Sequence, residues 1–121
     1  MYKGSCLCGK VKYEIADAPI SASSCYCKMC QKQHGAAFAT YVSIFRTDLV
    51  YLSDLAELSS FRSSEGVTRK FCGTCGSNIE WSGNKHPEKT SIALATFDTK
   101  YNPEHIFNIH FEDRASWYDI S

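Results

Sequence analysis

The sequence lacks an excess of charge of either sign, and it lacks a long hydrophobic run. Its 121 residues include 13 Lys plus Arg and 13 Asp plus Glu, which gives a formal net charge of zero. A protein that binds nucleic acid or a membrane surface through clustered positive charge would show an excess, so this balance argues against both classes. The longest mostly apolar run, residues 36–45, is shorter than the ~18 residues that a membrane-spanning helix requires.

The chain also lacks an apolar stretch before Cys6, a linker between domains and an internal repeat. Its hydrophobic content of 44% and charged content of 21% are ordinary for a globular protein, which excludes a disordered chain. We therefore expect one soluble, cytoplasmic domain over residues 1–121, without a secretory signal peptide.

Most of the sequence has the patterns of short β-strands. Segment 10–15 alternates polar and apolar residues, and segment 37–45 is rich in Phe, Tyr, Val, Ile and Thr. The predicted strands are 10–15, 37–45, 55–62, 67–71, 78–81, 91–97 and 106–111. Segment 27–34 is the one predicted helix, about two turns long. Many short strands separated by turn residues predict a mainly β domain, with stacked sheets or a barrel.

Cysteine is the residue that the chain has in unusual number, and its seven copies fall into three groups. An odd number of cysteines cannot all be paired in intramolecular disulfides. In a reducing compartment, clustered cysteines are more often metal ligands or redox thiols than structural disulfides. The groups are Cys6 and Cys8, then Cys25, Cys27 and Cys30, then Cys72 and Cys75.

The first and third groups have spacings that suit one shared metal ion. Residues two apart on a strand are roughly 6.5 Å apart, so Cys6 and Cys8 can bind one ion only where the backbone turns, and Gly9 follows them. Cys72 and Cys75 form a Cys-x-x-Cys-Gly loop. Two such pairs supply four thiolates, which predicts a closed structural zinc site at Cys6, Cys8, Cys72 and Cys75.

Cys25, Cys27 and Cys30 remain. Three thiolates with a vacant fourth position are typical of a reactive zinc ion rather than a structural one. His34 lies four residues after Cys30, on the same face of the predicted helix, and is an alternative fourth ligand that would close the site. A redox-active Cys-x-x-Cys pair and an iron–sulfur cluster are further alternative interpretations of these cysteines.

Three ordered strings, GSCLCGKVKYEI, CYCKMCQKQHG and FCGTCGSNIEW, resemble the glutathione-dependent formaldehyde-activating (GFA) family, which includes centromere protein V. All seven cysteines match the family pattern, and the resemblance extends from Gly4 to Trp81 and weakly beyond. It implies a β-tent fold of stacked antiparallel sheets. It also implies two Zn²⁺ ions, one structural and bound by four cysteines (Cys6, Cys8, Cys72 and Cys75), the other at Cys25, Cys27 and Cys30.

The family's namesake enzyme, a carbon–sulfur lyase, adds glutathione to formaldehyde to form S-(hydroxymethyl)glutathione. The resemblance therefore implies a low-molecular-weight thiol and a small aldehyde as substrates, and Cys25, Cys27 and Cys30 as the catalytic group. Candidate substrate contacts near this group are Lys28, Lys32 and Gln33, for which a solvent-exposed helix face is the alternative role. Candidate pocket walls are Tyr26, Phe38 and Trp81, with core packing as the alternative for Phe38 and Trp81. The alternative function is a non-catalytic zinc module that binds a protein partner, since the neutral charge argues against nucleic acid.

Overall fold

The computed structural model describes residues 1–119, and ten strands and one α-helix lie within this range. The helix α1 spans Lys28–His34. The strands are β1 (Tyr2–Ser5), β2 (Lys12–Ile15), β3 (Ser21–Cys25), β4 (Ala39–Phe45), β5 (Leu49–Tyr51), β6 (Leu58–Ser64), β7 (Val67–Cys72), β8 (Asn78–Gly83), β9 (Lys89–Ala93) and β10 (Ile106–Ile109). The predicted domain ends at residue 121, and its last two residues lie outside the described range.

The strands form two sheets. A three-stranded sheet has the order β1-β2-β5, and a seven-stranded sheet has the order β10-β3-β4-β9-β8-β7-β6. Neighbouring strands are antiparallel except β10, which pairs with β3 in parallel. The prediction of a mainly β domain with stacked, antiparallel sheets and one short helix is confirmed, with this single parallel pair as the exception among the described strands.

The core lies between the two sheets. Tyr13 and Ile15 alternate with more exposed neighbours on β2 and are fully buried, as the period-two pattern predicts. Val42 and Ile44 on β4 and Ile92 on β9 pack into the same apolar cluster from the larger sheet. The alternation of side chains thus places one face of each sheet in a common interior.

Several predicted strands are too long, and two of them include a complete turn of 3₁₀-helix. Segment 91–97 is a strand only to Ala93, because a turn of 3₁₀-helix, Leu94–Thr96, follows it. Segment 55–62 likewise begins with a 3₁₀ turn, Leu55–Glu57, in which the Asp54 carboxylate accepts a hydrogen bond from the Ala56 amide at 2.9 Å. In both places a local turn replaces extended backbone in a segment whose residue composition indicates a strand.

Three strands were not predicted: β1, β3 and β5. β3 has the sequence SASSC, whose small polar residues have little intrinsic preference for a strand. It is extended because it lies between two partners, antiparallel to β4 and parallel to β10. Within residues 1–119, no helix combines the length and apolar character that crossing a membrane requires.

Candidate metal centres

The structure brings Cys6, Cys8, Cys72 and Cys75 together, with their sulfurs all within 4.8 Å of one another. The chain turns after β1, where the Gly9 amide donates to the Cys6 carbonyl at 3.1 Å and Gly9 has φ +82°. This turn lets Cys6 and Cys8 face the same point, as the spacing predicts. Cys72 ends β7, and Cys75 lies in the loop that leads to β8.

The distances in this four-cysteine cluster suit a tetrahedral metal ion. The sulfur of Cys8 lies 3.6 Å from that of Cys6 and 3.8 Å from that of Cys72. Zinc–sulfur bonds of ~2.3 Å in tetrahedral geometry place neighbouring sulfurs ~3.8 Å apart. These separations are far longer than a disulfide bond, and all seven cysteines are free thiols. The four residues therefore fit a zinc ion.

Hydrogen bonds around the four-cysteine cluster favour the thiolate form of two of its members. Burial opposes ionisation of Cys6, but the Val11 amide, 3.2 Å from its sulfur, and the neighbouring thiols outweigh burial and lower its pKa. The hydroxyl of Ser77, 3.3 Å from the Cys75 sulfur, together with the Ser77 amide, lowers the pKa of Cys75 to about 5. Thiolates are the form that binds a metal ion.

A second cluster contains Cys25, Cys27 and Cys30, whose sulfurs also lie within 4.8 Å of one another. Cys25 is the last residue of β3, and Cys27 caps the N-terminus of α1 by accepting a hydrogen bond from the Cys30 amide at 3.4 Å. The helix ends at Gly35, whose φ of +59° is left-handed. The strand end and the first helical turn therefore present three sulfurs to one point.

Arg69 is part of this three-cysteine cluster, and the sequence analysis missed it. Its guanidinium nitrogens lie 3.5 and 3.6 Å from the Cys30 sulfur, and it also donates to Gln33 Oε1 at 2.7 Å and to Ser63 Oγ at 3.0 Å. The side chain is only 3% exposed. A buried cation requires a compensating negative charge, and a thiolate at Cys30 supplies one.

The thiols of the three-cysteine cluster differ in their tendency to ionise. The hydrogen bond from the Cys25 thiol lowers the pKa of Cys30 to about 5, and the Arg69 guanidinium contributes in the same direction. The same hydrogen bond, with burial, raises the pKa of Cys25. The pKa values of Cys25 and Cys30 therefore move in opposite directions, and the lowered one belongs to the sulfur next to Arg69.

His34, the alternative fourth metal ligand, has a hydrogen-bond partner outside the three-cysteine cluster. Its Nε2 lies 2.8 Å from the Tyr41 hydroxyl, and burial lowers its pKa. Among the described residues, the group of ligand atoms around this point consists of the sulfurs of Cys25, Cys27 and Cys30. His34 as a fourth metal ligand stays a prediction.

The three-cysteine cluster opens into a cavity of about 260 Å³. Besides the three cysteines and Arg69, Met29, Trp81 and His110 line it.

Trp81 was a candidate pocket wall and is one. Tyr26 is buried instead among aromatic rings at centroid distances of 4.8 to 5.6 Å, with Phe38 as one of its partners. Of the candidate substrate contacts, Gln33 accepts a hydrogen bond from Arg69, and Lys28 and Lys32 are exposed.

His110 reaches this cavity from the end of β10. Its φ of +53° is a left-handed backbone conformation, which no other non-glycine residue among those that the structure describes adopts. Its Nδ1 lies 3.9 Å from the Glu112 carboxylate. Non-glycine residues in this conformation cluster at functional sites, where the surrounding structure holds them. No sequence pattern within β10 indicates this position, because the parallel pairing with β3 creates it.

Comparisons with known proteins identify the family. A comparison with curated proteins finds no significant match. A crystal structure of a protein from Rhodobacter sphaeroides has a similar fold, with a TM-score of 0.71 and 22% sequence identity, over 88% of this chain and 98% of that one. The profile of the family described as "Glutathione-dependent formaldehyde-activating enzyme" matches residues 1–113. The chain therefore belongs to the glutathione-dependent formaldehyde-activating enzyme family.

Proposed function

We propose that this protein joins a low-molecular-weight thiol, in the first instance glutathione, to a small aldehyde such as formaldehyde. The reaction takes place at a zinc ion bound by Cys25, Cys27 and Cys30, while Cys6, Cys8, Cys72 and Cys75 bind a structural zinc. Membership of the family supports this proposal. The observation that carries it is a cavity lined by three convergent cysteines and a buried cation.

The reaction forms one carbon–sulfur bond. The sulfur of the thiol adds to the aldehyde carbon, the carbon–oxygen double bond becomes a single bond, and the thiol proton ends on the oxygen. The product is a hemithioacetal, which for formaldehyde is the S-hydroxymethyl adduct of the substrate thiol, and neither an oxidant nor a reductant is consumed. The protein therefore has to ionise a thiol, hold an aldehyde close to it and return one proton.

A zinc ion would supply the positive charge that lowers the pKa of a substrate thiol bound to it. With three thiolates, Zn²⁺ has a net charge of about −1, and Arg69 compensates for this charge through Cys30. Cys25 and Cys30 are buried, whereas Cys27 is partly exposed. A substrate sulfur is therefore least obstructed on the side of Cys27.

His110 is the residue of this cavity suited to carry the proton. An imidazole both donates and accepts hydrogen bonds, and proton transfer by a positioned side chain contributes about 10²- to 10⁴-fold to the rates of such reactions. Nδ1 lies on the side of the Glu112 carboxylate, 3.9 Å away, and Nε2 is the nitrogen that would exchange a proton with the aldehyde oxygen. Met29 and Trp81 line the same cavity and limit the access of water to the reacting atoms.

Two cysteine variants test the division between the sites. Cys27→Ser should lose one zinc ion, glutathione binding and turnover, and keep the fold. Cys75→Ser should lose the other zinc ion and unfold, because a structural zinc contributes directly to the free energy of folding. Zinc content, circular dichroism, calorimetry with glutathione and NMR detection of the hydroxymethyl product supply the measurements. If the zinc-loaded protein neither binds glutathione nor accelerates the reaction, the proposal is wrong and a non-catalytic zinc module is the remaining function.

A further inference from the structure

The strand β10 forms one edge of the seven-stranded sheet and exposes an apolar surface. Ile106, Phe107 and Ile109 are 40, 55 and 40% exposed, and Asn108 is exposed as well. Among the strands that the structure describes, β10 pairs with β3 on one side and with none on the other. The free side of an edge strand presents unpaired backbone groups, so a further strand can pair with β10 along its whole length.

The other edge strands have features that hinder such pairing. β6, at the opposite edge of the same sheet, contains Arg62 and an irregular register between Arg62 and Ser64. In the smaller sheet, β1 contains Lys3, whose carbonyl already accepts hydrogen bonds from the Asp98 and Thr99 amides, and β5 has three residues. Charges, bulges and short length are the usual protection of an edge. β10, with the sequence IFNI and a regular register, has no charge, proline or bulge, so it is the edge best suited to an intermolecular pair.

The backbone of β10 directs alternate residues toward its free side. The Tyr26 amide donates to the Ile109 carbonyl at 3.1 Å, so the backbone groups of Ile109 point toward β3. In a parallel ladder alternate residues bond to the same neighbour. Phe107 therefore also bonds to β3, whereas Ile106 and Asn108 direct their amides and carbonyls away from it. Two such residues, two positions apart, provide the donors and acceptors of an antiparallel pair with an identical strand.

From this arrangement we infer that two copies of the chain pair through β10, antiparallel, about a twofold axis at Phe107. In this register Ile106 of each copy lies opposite Asn108 of the other, and the backbone groups of these residues form the hydrogen bonds of the new ladder. The two Phe107 side chains lie opposite each other, as an aromatic cross-strand pair that stabilises the contact. A second copy is favoured over an unrelated strand because one surface satisfies both sides of a twofold interface.

The second copy also adds residues to the three-cysteine cavity. Ile109 lines this cavity, and Phe107 lies on the same face of β10 because side chains alternate along a strand. In the inferred register the partner subunit's His105 lies opposite Ile109. Within one chain the rings of His105 and Phe107 are in contact, with centroids 4.3 Å apart. The partner subunit's His105 and Phe107 therefore extend the wall of the cavity at its β10 rim, whichever reaction takes place inside.

A proline in β10 tests the backbone pairing. The paired strands have four residues each, so the interface is small and the dissociation constant of the dimer should be on the order of 10 µM. Asn108→Pro removes an amide that points away from β3, so it should keep the fold and raise the dissociation constant about tenfold or more. Asn108→Ala keeps the amide and is the matched control, which should dimerise like the wild type. Sedimentation equilibrium of the zinc-loaded proteins, up to about 1 mM, measures the constants.

A lysine on the twofold axis tests the side-chain contact. Phe107→Lys places two like charges opposite each other and should also raise the dissociation constant about tenfold or more. Its matched control is Phe61→Lys, the same substitution at a phenylalanine that is 61% exposed on β6, the opposite edge of the sheet. This control should dimerise like the wild type. Circular dichroism checks that all four variants fold, and the lysine pair decides the question if Asn108→Pro does not.

Amide hydrogen exchange, followed by NMR at rising protein concentration, tests the register. Exchange of the Ile106 and Asn108 amides should become about tenfold slower as the dimer forms. The Phe107 and Ile109 amides bond to β3 in the monomer, so their exchange should not depend on concentration. Protection of Phe107 and Ile109 in place of Ile106 and Asn108 would overturn the inference.

The association measurements can overturn it as well. A wild type that stays monomeric at about 1 mM would exclude the dimer and leave the edge to a strand of a different protein. Equal dimerisation of Asn108→Pro and Asn108→Ala would exclude the backbone ladder. Equal weakening by Phe61→Lys and Phe107→Lys would place the interface elsewhere than at β10.

Discussion

The guanidinium of Arg69 and the sulfur of Cys30 form a buried contact, with two nitrogens at 3.5 and 3.6 Å from the same sulfur atom. Arg69 comes from the middle of β7 and Cys30 from the first turn of α1, so the contact joins the helix to the larger sheet. Gln33, one turn further along α1, accepts a third hydrogen bond from the same guanidinium. The orientation of the three-cysteine cluster thus depends on a residue that is not a ligand.

Replacing Arg69 should weaken metal binding at the three-cysteine cluster. Arg69→Met removes the charge and leaves the sulfur of Cys30 and Gln33 Oε1 without their donor. Loss of such an outer contact typically lowers metal affinity by about 10- to 100-fold. Competition with a chelator, monitored by the thiolate-to-metal absorption of the Co²⁺-loaded protein, measures the affinity. Arg69→Lys retains the charge and should give an intermediate affinity; unchanged affinity in Arg69→Met would refute the role.

Removal of metal should occur in two steps. The three-cysteine cluster offers fewer sulfurs and opens to a cavity, so a chelator should take its metal first with little change in circular dichroism. The four-cysteine cluster joins the turn after β1 to the loop after β7, so loss of its metal should unfold the domain. A zinc indicator and circular dichroism recorded together test the order. Simultaneous loss of both ions with unfolding would contradict it.

Glu80 should be the carboxylate whose neutralisation destabilises the fold most. It is 2% exposed and accepts hydrogen bonds from the hydroxyls of Tyr51 at 2.7 Å and Thr90 at 2.6 Å. Two cations, Arg46 and Lys70, lie 3.5 and 3.9 Å away. Glu80→Gln should lower the free energy of unfolding by about 2 kcal/mol, measured by urea denaturation, because its amide group leaves one of the two donor hydroxyls without a buried acceptor.

The matched control for this change is Glu104→Gln, at an exposed position. Surface substitutions of this kind usually change stability by less than about 0.5 kcal/mol. Equal effects of the two variants would mean that the network around Glu80 adds nothing to stability.

Gly4 should not tolerate a side chain. A Cβ atom there would overlap the phenol of Tyr13 and lie 2.7 Å from the Thr96 carbonyl, and Tyr13 is itself fully buried. Gly4→Ala should therefore lower the unfolding free energy by about 3 kcal/mol or more. At Gly73 the nearest atom is Ser59 Oγ, a rotatable hydroxyl at 2.7 Å, so Gly73→Ala should cost much less. Thermal unfolding of the two variants side by side checks this order.

His34 should make the protein less stable as the pH falls. Burial lowers its folded-state pKa below the ordinary value of 6.5, and the Arg69 charge acts in the same direction. The unfolded chain then binds the proton more tightly, so stability is complete above pH 6.5 and declines as the pH falls from there toward the folded-state pKa. Between pH 7.5 and 5.5, the free energy of unfolding of the zinc-loaded wild type should fall by more than that of His34→Gln in urea denaturation. Parallel losses in the two proteins would contradict this assignment.

The pairs within each cysteine group could be predicted because their geometry is local. Cys6 and Cys8 share a turn, Cys72 and Cys75 share a loop, and Cys27 caps the helix that contains Cys30. That the first and third groups, 64 positions apart, share one site was inferred from the four thiolates that a closed zinc site requires. The ends of the helix are also set locally: Cys27 caps its first turn, and Gly35, with a left-handed backbone conformation, follows its last residue. The alternation in β2 also predicted which face is buried.

Arg69 and His110 could not be predicted, because long-range pairing brings each of them to the cluster. The strand that contains Arg69 was predicted, but its sequence does not specify that this strand lies against α1. His110 follows Ile109, which pairs with Cys25 across the parallel β10–β3 ladder. The register between strands distant in sequence depends on the complete sheet, so a local pattern cannot indicate it.

The two halves of the four-cysteine cluster, Cys8 and Cys72, are 64 positions apart, which has a consequence for synthesis of the chain. At the usual elongation rate, the first five cysteines emerge from the ribosome seconds before the last two, Cys72 and Cys75. If the four-cysteine cluster binds zinc as proposed, its site is complete only once the hairpin of β7 and β8 has formed. The clasp between the two ends of the domain would then be one of the last features of the fold to form.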